Sequence, residues 1–390
     1  MAESNTRIGK YGTYRIGVDA RMLSEPITGI GRYNQEILSR LVSKGHEWFL
    51  YSHRPLPVGQ WNLENVHIRT STISNLYQRM LWAQSILPFW ANRDELDLFW
   101  APAHRIPFFL SADISRVVTV HDLVWKMEGH TMRPLSRLLD SLLMPEAVRL
   151  ADRVLAVSLS TSLDLNRFIP SSLGKVRTIP LGNSVVGTPQ PRAALSDLGL
   201  DVPYFLFVGT LEPRKNLGRL LEAFSRLSTT EVGGAVLAIA GGVGWGGVDV
   251  DDLIHQWGLH GRVRKLGYVS DQQLATLYAH ALFLAMPSLY EGFGLPILEA
   301  LSRGVPVLTS DISSMPEVAG AAAVLVSPYS VDSISNGLAT LLGDNAFRLK
   351  LASRAVASAA RFNWDQAALE TMATFEEAIA VRHKKIASKY

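Results

Sequence analysis

Glu291 and Glu299 stand with seven residues between them in Tyr290-Glu-Gly-Phe-Gly-Leu-Pro-Ile-Leu-Glu299, and Gly292, Phe293, Gly294 and Leu295 lie in that interval. The glycines let backbone approach a ligand closely, and the N–H groups of the helix that follows point at an anion. This spacing puts one carboxylate in a loop and the other about a turn into the helix. Both can then face one polyhydroxyl ligand, Glu291 on a sugar ring and Glu299 on a ribose. A basic pair, Arg214-Lys215, follows the apolar run 204–208 and the turn Gly209-Thr210. Arginine offers a bidentate fork and lysine a mobile point charge, so together they suit phosphate oxygens. A basic pair at a helix start opposes the macrodipole, which favours a functional account of it.

His121 and Asp122 close the apolar run 117–120, at the strand end where open α/β sheets hold their ligands. A strand-end histidine can equally be a satisfied structural group, and an isolated Glu299 would read as an exposed helix residue. Gly29 and Gly31, with Arg32, fall in the loop before a helix expected from Tyr33. They lack the third glycine of a dinucleotide fingerprint, so no nicotinamide cofactor is inferred, and a plain tight turn is the structural alternative. Asp249-Val-Asp251-Asp252 mimics a metal-binding D-x-D motif, but it precedes a helical pattern and reads as capping. The glycine cluster 241–247 has no Gly-Lys-Ser/Thr and reads as a strand-to-helix loop.

Thirteen short β-rich runs alternate with helical patterns, the signal for parallel sheets built from βα units. Seven are expected at 14–19, 47–51, 66–69, 96–100, 117–120, 153–157 and 176–179, and six at 204–208, 235–239, 263–266, 282–285, 305–308 and 323–326. Several are continuous apolar runs, as strands buried on both faces should be. A Gly- and Pro-rich stretch at 181–191 separates the two sets. The expected organisation is a first domain over 1–182, a linker over 183–203, a second domain over 204–360 and closing helices over 361–390. With 390 residues, 47% of them hydrophobic, two domains are the prior.

The absence of cysteine excludes disulfides and thiolate metal sites. The polar first fourteen residues lack a signal-peptide core, and no uninterrupted apolar run is long enough to span a membrane. Residues 1–195 carry 22 Lys and Arg against 16 Asp and Glu, and residues 196–390 carry 16 against 19. A basic first half could meet anionic lipid or a lipid-linked pyrophosphate; ordinary solvated surface is the alternative. Nucleic acid is not expected, because no helix or loop interleaves basic residues with aromatics. The stretch 76–90, read as one helix, could offer Leu81, Trp82 and Ile86 to a membrane interface, although core packing is favoured. The stretch 133–150, with Arg133, Arg137 and Arg149, is the better headgroup candidate, although a plain surface helix is favoured for it.

Taken together, Glu291-Gly-Phe-Gly-Leu-Pro…Glu299 resembles the E-x7-E signature of retaining, nucleotide-sugar-dependent glycosyltransferases of the GT-B fold, family 4. Phe207-Val-Gly-Thr-Leu-Glu-Pro-Arg-Lys-Asn216 is similar to that family's basic diphosphate loop, Thr28-Gly-Ile-Gly-Arg-Tyr33 to its N-terminal glycine loop, and Thr119-Val-His-Asp122 to its active-site histidine segment. The resemblance implies an α/β fold of two Rossmann-like domains facing across a cleft, with donor on the second. It implies that Arg214 and Lys215 meet the diphosphate, and that Glu291, Gly292, Phe293, Gly294, Leu295, Glu299, Gly209 and Gly31 bind the donor. His121, Glu291, Arg214 and Lys215 would carry the chemistry, with Gly29, Arg32 and Asp122 on the acceptor side. Expected substrates are a nucleotide sugar, with GDP-mannose or GDP-rhamnose favoured, and a glycan or lipid-linked oligosaccharide acceptor in bacterial surface polysaccharide synthesis. No metal or other cofactor is expected. The enzyme would be cytoplasmic, peripheral on the inner face of the plasma membrane. A UDP-sugar-dependent transferase of the same fold, an epimerase, a glycoside phosphorylase and a non-catalytic sugar-binding protein are the rival readings.

Overall fold

The computed structural model describes residues 12–25, 29–57, 59–184, 187–230, 232–246 and 249–388. The first eleven residues, Thr28 of the glycine loop, Val185 and Val186 of the linker stretch and Gly247 of the glycine cluster lie outside these.

All thirteen expected runs are strands, with ends within two residues of those read from sequence. The first sheet contains β1 (Arg15–Asp19), β2 (Glu47–Ser52), β3 (Val66–Thr70), β4 (Leu98–Ala101), β5 (Ser115–Val120), β6 (Arg153–Ala156) and β7 (Val176–Thr178). The second contains β8 (Tyr204–Val208), β9 (Val236–Ala240), β10 (Val263–Gly267), β11 (Leu284–Met286), β12 (Val307–Ser310) and β13 (Ala323–Val326). Their orders are β3-β2-β1-β4-β5-β6-β7 and β10-β9-β8-β11-β12-β13, every pairing parallel. Strand order reverses between β1 and β4 in one sheet and between β8 and β11 in the other. The carboxyl ends of strands at such switch points form ligand crevices. Central strands β5, β8 and β9 are buried throughout, and β8 and β9 accordingly read as unbroken apolar runs, whereas β5 also buries Ser115, Arg116 and Thr119.

Helices cover both faces by burying one stripe each. The helix Leu217–Ser225 turns Leu217, Leu220, Leu221 and Phe224 inward at the spacing of a single helical face. The final helix, Trp364–Ala387, lies against the first sheet. There Arg382 holds Asp152 Oδ2 at 2.7 and 2.9 Å, and Lys385 holds Oδ1 at 3.0 Å. Glu377 bonds Arg153 at 2.8 Å and also pairs with Arg177, and these bonds bring its carboxyl down to about 2.

The stretch 76–90 is not one helix. Leu76–Gln84 and Ile86–Arg93 are separate, with Ser85 outside the helical region between them. Pro88 is the physical cause, since its ring would clash with the Gln84 carbonyl in a continuous helix. Trp82 faces the core rather than an interface, and its Nε1–H donates to Ser71 Oγ at 3.0 Å. Leu81 and Ile86 are exposed.

Candidate active site

The β8/β11 switch point brings the basic pair onto the first glutamate. Lys215 Nζ lies 2.7 Å from Glu291 Oε1, and Arg214 Nη1 lies 2.7 Å from Oε2. Burial pushes the Glu291 carboxyl up, but the Arg214 and Lys215 charges outweigh it and bring the pKa down to about 2. Burial opposes the Arg214 charge, and Glu291 and Asp122 more than restore it, so the guanidinium is raised above its ordinary value. Arg214 and Lys215 sit in the short turn Pro213–Lys215, and Gly209, at the end of β8, runs along the Lys215 side chain. Asn216 then adopts φ +61° and donates its amide to the Pro287 and Pro328 carbonyls at 2.9 and 2.8 Å. That tie fixes the basic turn to the end of β11. The Glu291 carbonyl accepts from Ser313 and Ser314 at 2.5 and 2.9 Å.

Gly294, at φ +103°, turns the chain into the helix Leu295–Ser302, a conformation in which a side chain would be strained. Phe293 is buried, edge-on to Phe362. Glu299 comes up in the second turn of that helix. It accepts from Tyr278 Oη at 2.9 Å and from Arg32 Nη1 at 3.1 Å. Burial raises the Glu299 pKa, and Arg32 and Tyr278 pull back against it. Arg32, expected on the acceptor side, thus reaches from the first domain to Glu299, a residue expected to bind the donor. A small cavity of about 20 Å³ lies beside the pair, lined also by Ser184, Asp271 and Arg303. The first-domain helix begins at Gly29 rather than near Tyr33, so Gly29 and Gly31 form its first turn instead of a preceding loop. An added Cβ on Gly29 would sit 3.5 Å from Leu295 Cδ1.

His121 follows β5 directly and is almost fully buried. Its Nε2 lies 2.8 Å from the Pro102 carbonyl, which can only accept, so the proton is on Nε2 and Nδ1 is an acceptor. Burial and neighbouring His104 bring its pKa down to about 3. His121 is therefore neutral at ordinary pH, able to accept from a hydroxyl but poorly suited to store a proton. The two domains meet backbone to backbone at this histidine: a Cβ on Gly292 would lie 1.8 Å from the His121 carbonyl oxygen and 2.9 Å from Asp122 Cβ. Asp122 Oδ1 accepts from Val124 N–H at 3.1 Å. Four more contacts hold this face closed. Tyr290 Oη donates to Asp164 at 2.7 Å, Thr161 Oγ1 to the Gly292 carbonyl at 3.2 Å, and Tyr329 Oη to Glu128 at 2.8 Å, while Glu317 accepts from Leu159 N–H at 3.0 Å.

Sequence reasoning missed Tyr278, Ser313, Ser314, Asn216 and His104. His104 adopts φ +60°, stacks on the His121 ring at 5.3 Å and accepts from the His121 N–H at 3.3 Å. The sequence carried a signal only for Asn216, an asparagine at the turn into a helix. Asp249 does cap its helix, its side chain accepting from Asp251 and Asp252 N–H. Among the described residues no group of three or more His, Asp or Glu is placed to hold a metal ion.

Family comparisons match this geometry. Residues 196–358 match the model "Glycosyl transferases group 1", and residues 27–183 match "Glycosyltransferase Family 4". O-antigen chain mannosyltransferase B of Escherichia coli is 31% identical over 90% of this chain and 96% of its own length. Among solved structures, sucrose-phosphate synthase of Thermosynechococcus elongatus superposes with a TM-score of 0.74 at 21% identity, covering 94% of this chain and 99% of that one. Anabaena HepE in complex with UDP and glucose gives 0.72 at 20% identity, covering 93% and 100%. Two parallel-sheet domains, the E-x7-E segment meeting the basic turn, and a full-length relative at this identity make the chain a member of glycosyltransferase family 4, with the GT-B fold.

Proposed function

We propose that this glycosyltransferase moves a hexose, mannose or rhamnose, with retention from a nucleotide sugar to a glycan or lipid-linked acceptor in O-antigen-like polysaccharide synthesis. The observation that carries the reading is the buried Arg214–Glu291–Lys215 triad pressed against His121-Asp122. Two cations and one carboxylate leave a net positive charge where a diphosphate would leave, in a site largely closed to water. In the proposed reaction the bond from the anomeric carbon to the diphosphate oxygen breaks, and the acceptor oxygen forms the new bond on the same face. The departing phosphate oxygen takes the acceptor's proton. Glu291 holds donor-sugar hydroxyls, Glu299 the ribose, and His121 Nδ1 accepts from a sugar hydroxyl. Arg214 and Lys215 supply the positive charge, so transfer should persist in EDTA.

The similarity to the mannosyltransferase supports mannose, and a GDP donor goes with it. A UDP-sugar is the second reading, favoured by the UDP and glucose in the HepE complex. Membrane contact is part of the proposal. The helix Pro134–Leu150 exposes Leu135, Leu138 and Leu142 at helical spacing, with Arg133 and Arg137 exposed nearby, a pattern suited to anionic lipid. No helix among the described residues is long and apolar enough to cross a membrane.

Thermal shifts with GDP, UDP, ADP, GDP-mannose and UDP-glucose test the reading on wild type and Glu299→Ala. Ligand at roughly 100 times its Kd should add about 2.7 kcal/mol. A guanine-specific shift lost in the variant is expected. A uridine-specific shift would overturn the GDP assignment, and no shift with any nucleotide would overturn the nucleotide-sugar reading.

A further inference from the structure

Among the described residues, four other than glycine have a positive φ: Glu95, His104, Asn216 and Ser313. Such backbone is uncommon outside glycine and gathers at functional sites, where the surrounding structure holds it in place. Three of the four lie against groups that the proposed reaction uses. Asn216 follows Arg214-Lys215 and ties their turn to the end of β11. Ser313 grips both backbone poles of Glu291, its Oγ donating to the carbonyl at 2.5 Å and accepting from the N–H at 3.3 Å. His104, at φ +60°, lies against His121.

That last contact is built by one short segment. Residues 102–104 follow β4, and His121 follows β5, its parallel neighbour. Three bonds join the two strand ends. The Pro102 carbonyl accepts from His121 Nε2 at 2.8 Å, the His104 N–H donates to the Thr119 carbonyl at 3.0 Å, and His104 Nε2 accepts from the His121 backbone N–H at 3.3 Å. With its backbone in the left-handed region, His104 carries its side chain back over His121, and the rings stack at 5.3 Å and 18°. Tyr33 meets the same His121 ring edge-on at 4.9 Å. Pro102 therefore sets the tautomer of His121, while His104 and Tyr33 set the plane of its ring. Glycine at 104 would take this backbone without strain. It would supply neither the stacked ring nor the acceptor that a buried N–H requires.

We propose that His104 is a positioning residue for the transfer: its ring and Nε2 hold His121 at the junction with Gly292, in the orientation that offers Nδ1 to a sugar hydroxyl. This rests on the transferase reading above and deepens it by naming what holds the histidine in place.

Two variants of the full chain test it. His104→Gly removes ring and acceptor while suiting the backbone, and His104→Asn keeps a side-chain acceptor on a residue that also tolerates the left-handed region. His104 is half-buried, so water can fill the space its ring leaves. Misplacement of about 1 Å can cost about 100-fold in rate, so kcat in His104→Gly should fall at least about tenfold. Its affinity for GDP or UDP, whichever wild type binds, should stay within about twofold by calorimetry. Hydrogen exchange at the His121 amide should quicken at least about tenfold. His104→Asn should lie between glycine and wild type in both kcat and exchange. His104→Ala takes the place of a glycine variant that fails to fold. Wild-type kcat or unchanged His121 exchange in the folded variant would overturn the proposal. So would nucleotide affinity falling in step with kcat, or an asparagine variant no faster than glycine. A wild type that transfers from no nucleotide sugar would instead overturn the transferase reading, and quickened exchange in His104→Gly would still sustain the hold of His104 on His121.

Discussion

Replacing Gly292 by alanine should separate nucleotide binding from transfer. The new Cβ would fall 1.8 Å from the His121 carbonyl oxygen, about 1.5 Å short of ordinary van der Waals contact. Neither side can yield cheaply. The obstacle is backbone at the end of β5, and the Glu291 turn is held by Ser313 and Ser314 on its carbonyl and by the two basic side chains on its carboxylate. Gly292 is not among the positive-φ residues, so alanine suits its own domain. The clash therefore falls on the closed cleft and moves His121 away from the donor turn by about that distance. Misplacement of about 1 Å can cost roughly 100-fold, so kcat/KM should fall at least about 100-fold, or about 2.7 kcal/mol. Affinity for the nucleotide diphosphate, measured by calorimetry, should stay within a few-fold. Wild-type kcat/KM in Gly292→Ala would refute the reasoning. Collapse of nucleotide affinity together with transfer would also refute it, because the clash would then lie within the second domain.

Three further outcomes follow from the charged groups. The Glu291 carboxyl is depressed from 4.5 to about 2, so its ion pairs stabilise the fold fully above about pH 4.5 and are lost as pH falls through about 2. Urea unfolding should show on the order of 3 kcal/mol of wild-type stability lost over that range and little of it in Glu291→Gln, and equal losses would contradict the assignment. The His121 pKa is also depressed, from 6.5 to about 3, so below about pH 6.5 the unfolded chain takes up a proton that the folded one refuses and stability declines. The His121 ring should show no NMR titration between about pH 8 and 5, and a midpoint near 6.5 would contradict its burial. Arg32→Ala should slow transfer roughly fivefold, about 1 kcal/mol, while nucleotide binds at least as tightly because Glu299 is released. Weaker nucleotide binding would count against the cross-domain role.

Much of the fold was legible because parallel strands buried on both faces leave continuous apolar runs such as 204–208 and 235–239. Glu291, Arg214 and Lys215 were each legible as chemistry, yet their contact was not. It bridges some 76 residues of chain and depends on β8 lying beside β11, an adjacency that no local pattern encodes. Arg32 read as a loop residue, and nothing in the local sequence says that it pairs with Glu299 of the other domain. The helix start at Gly29 escaped notice because glycine is a poor helix former, and packing rather than propensity sets that turn. The break before Ile86 was visible in Pro88 but was outweighed by the apolar run around it. His104 lies 17 residues before His121, and the two meet only once β4 and β5 are paired.

The most direct test is to run the transfer with GDP-mannose and a mannose-terminated oligosaccharide and read the new linkage by NMR. A single added mannose in the α configuration, formed by wild type and not by Glu291→Gln, is the predicted result. A β linkage, or transfer from a UDP-sugar and none from GDP-mannose, would contradict the proposed reaction.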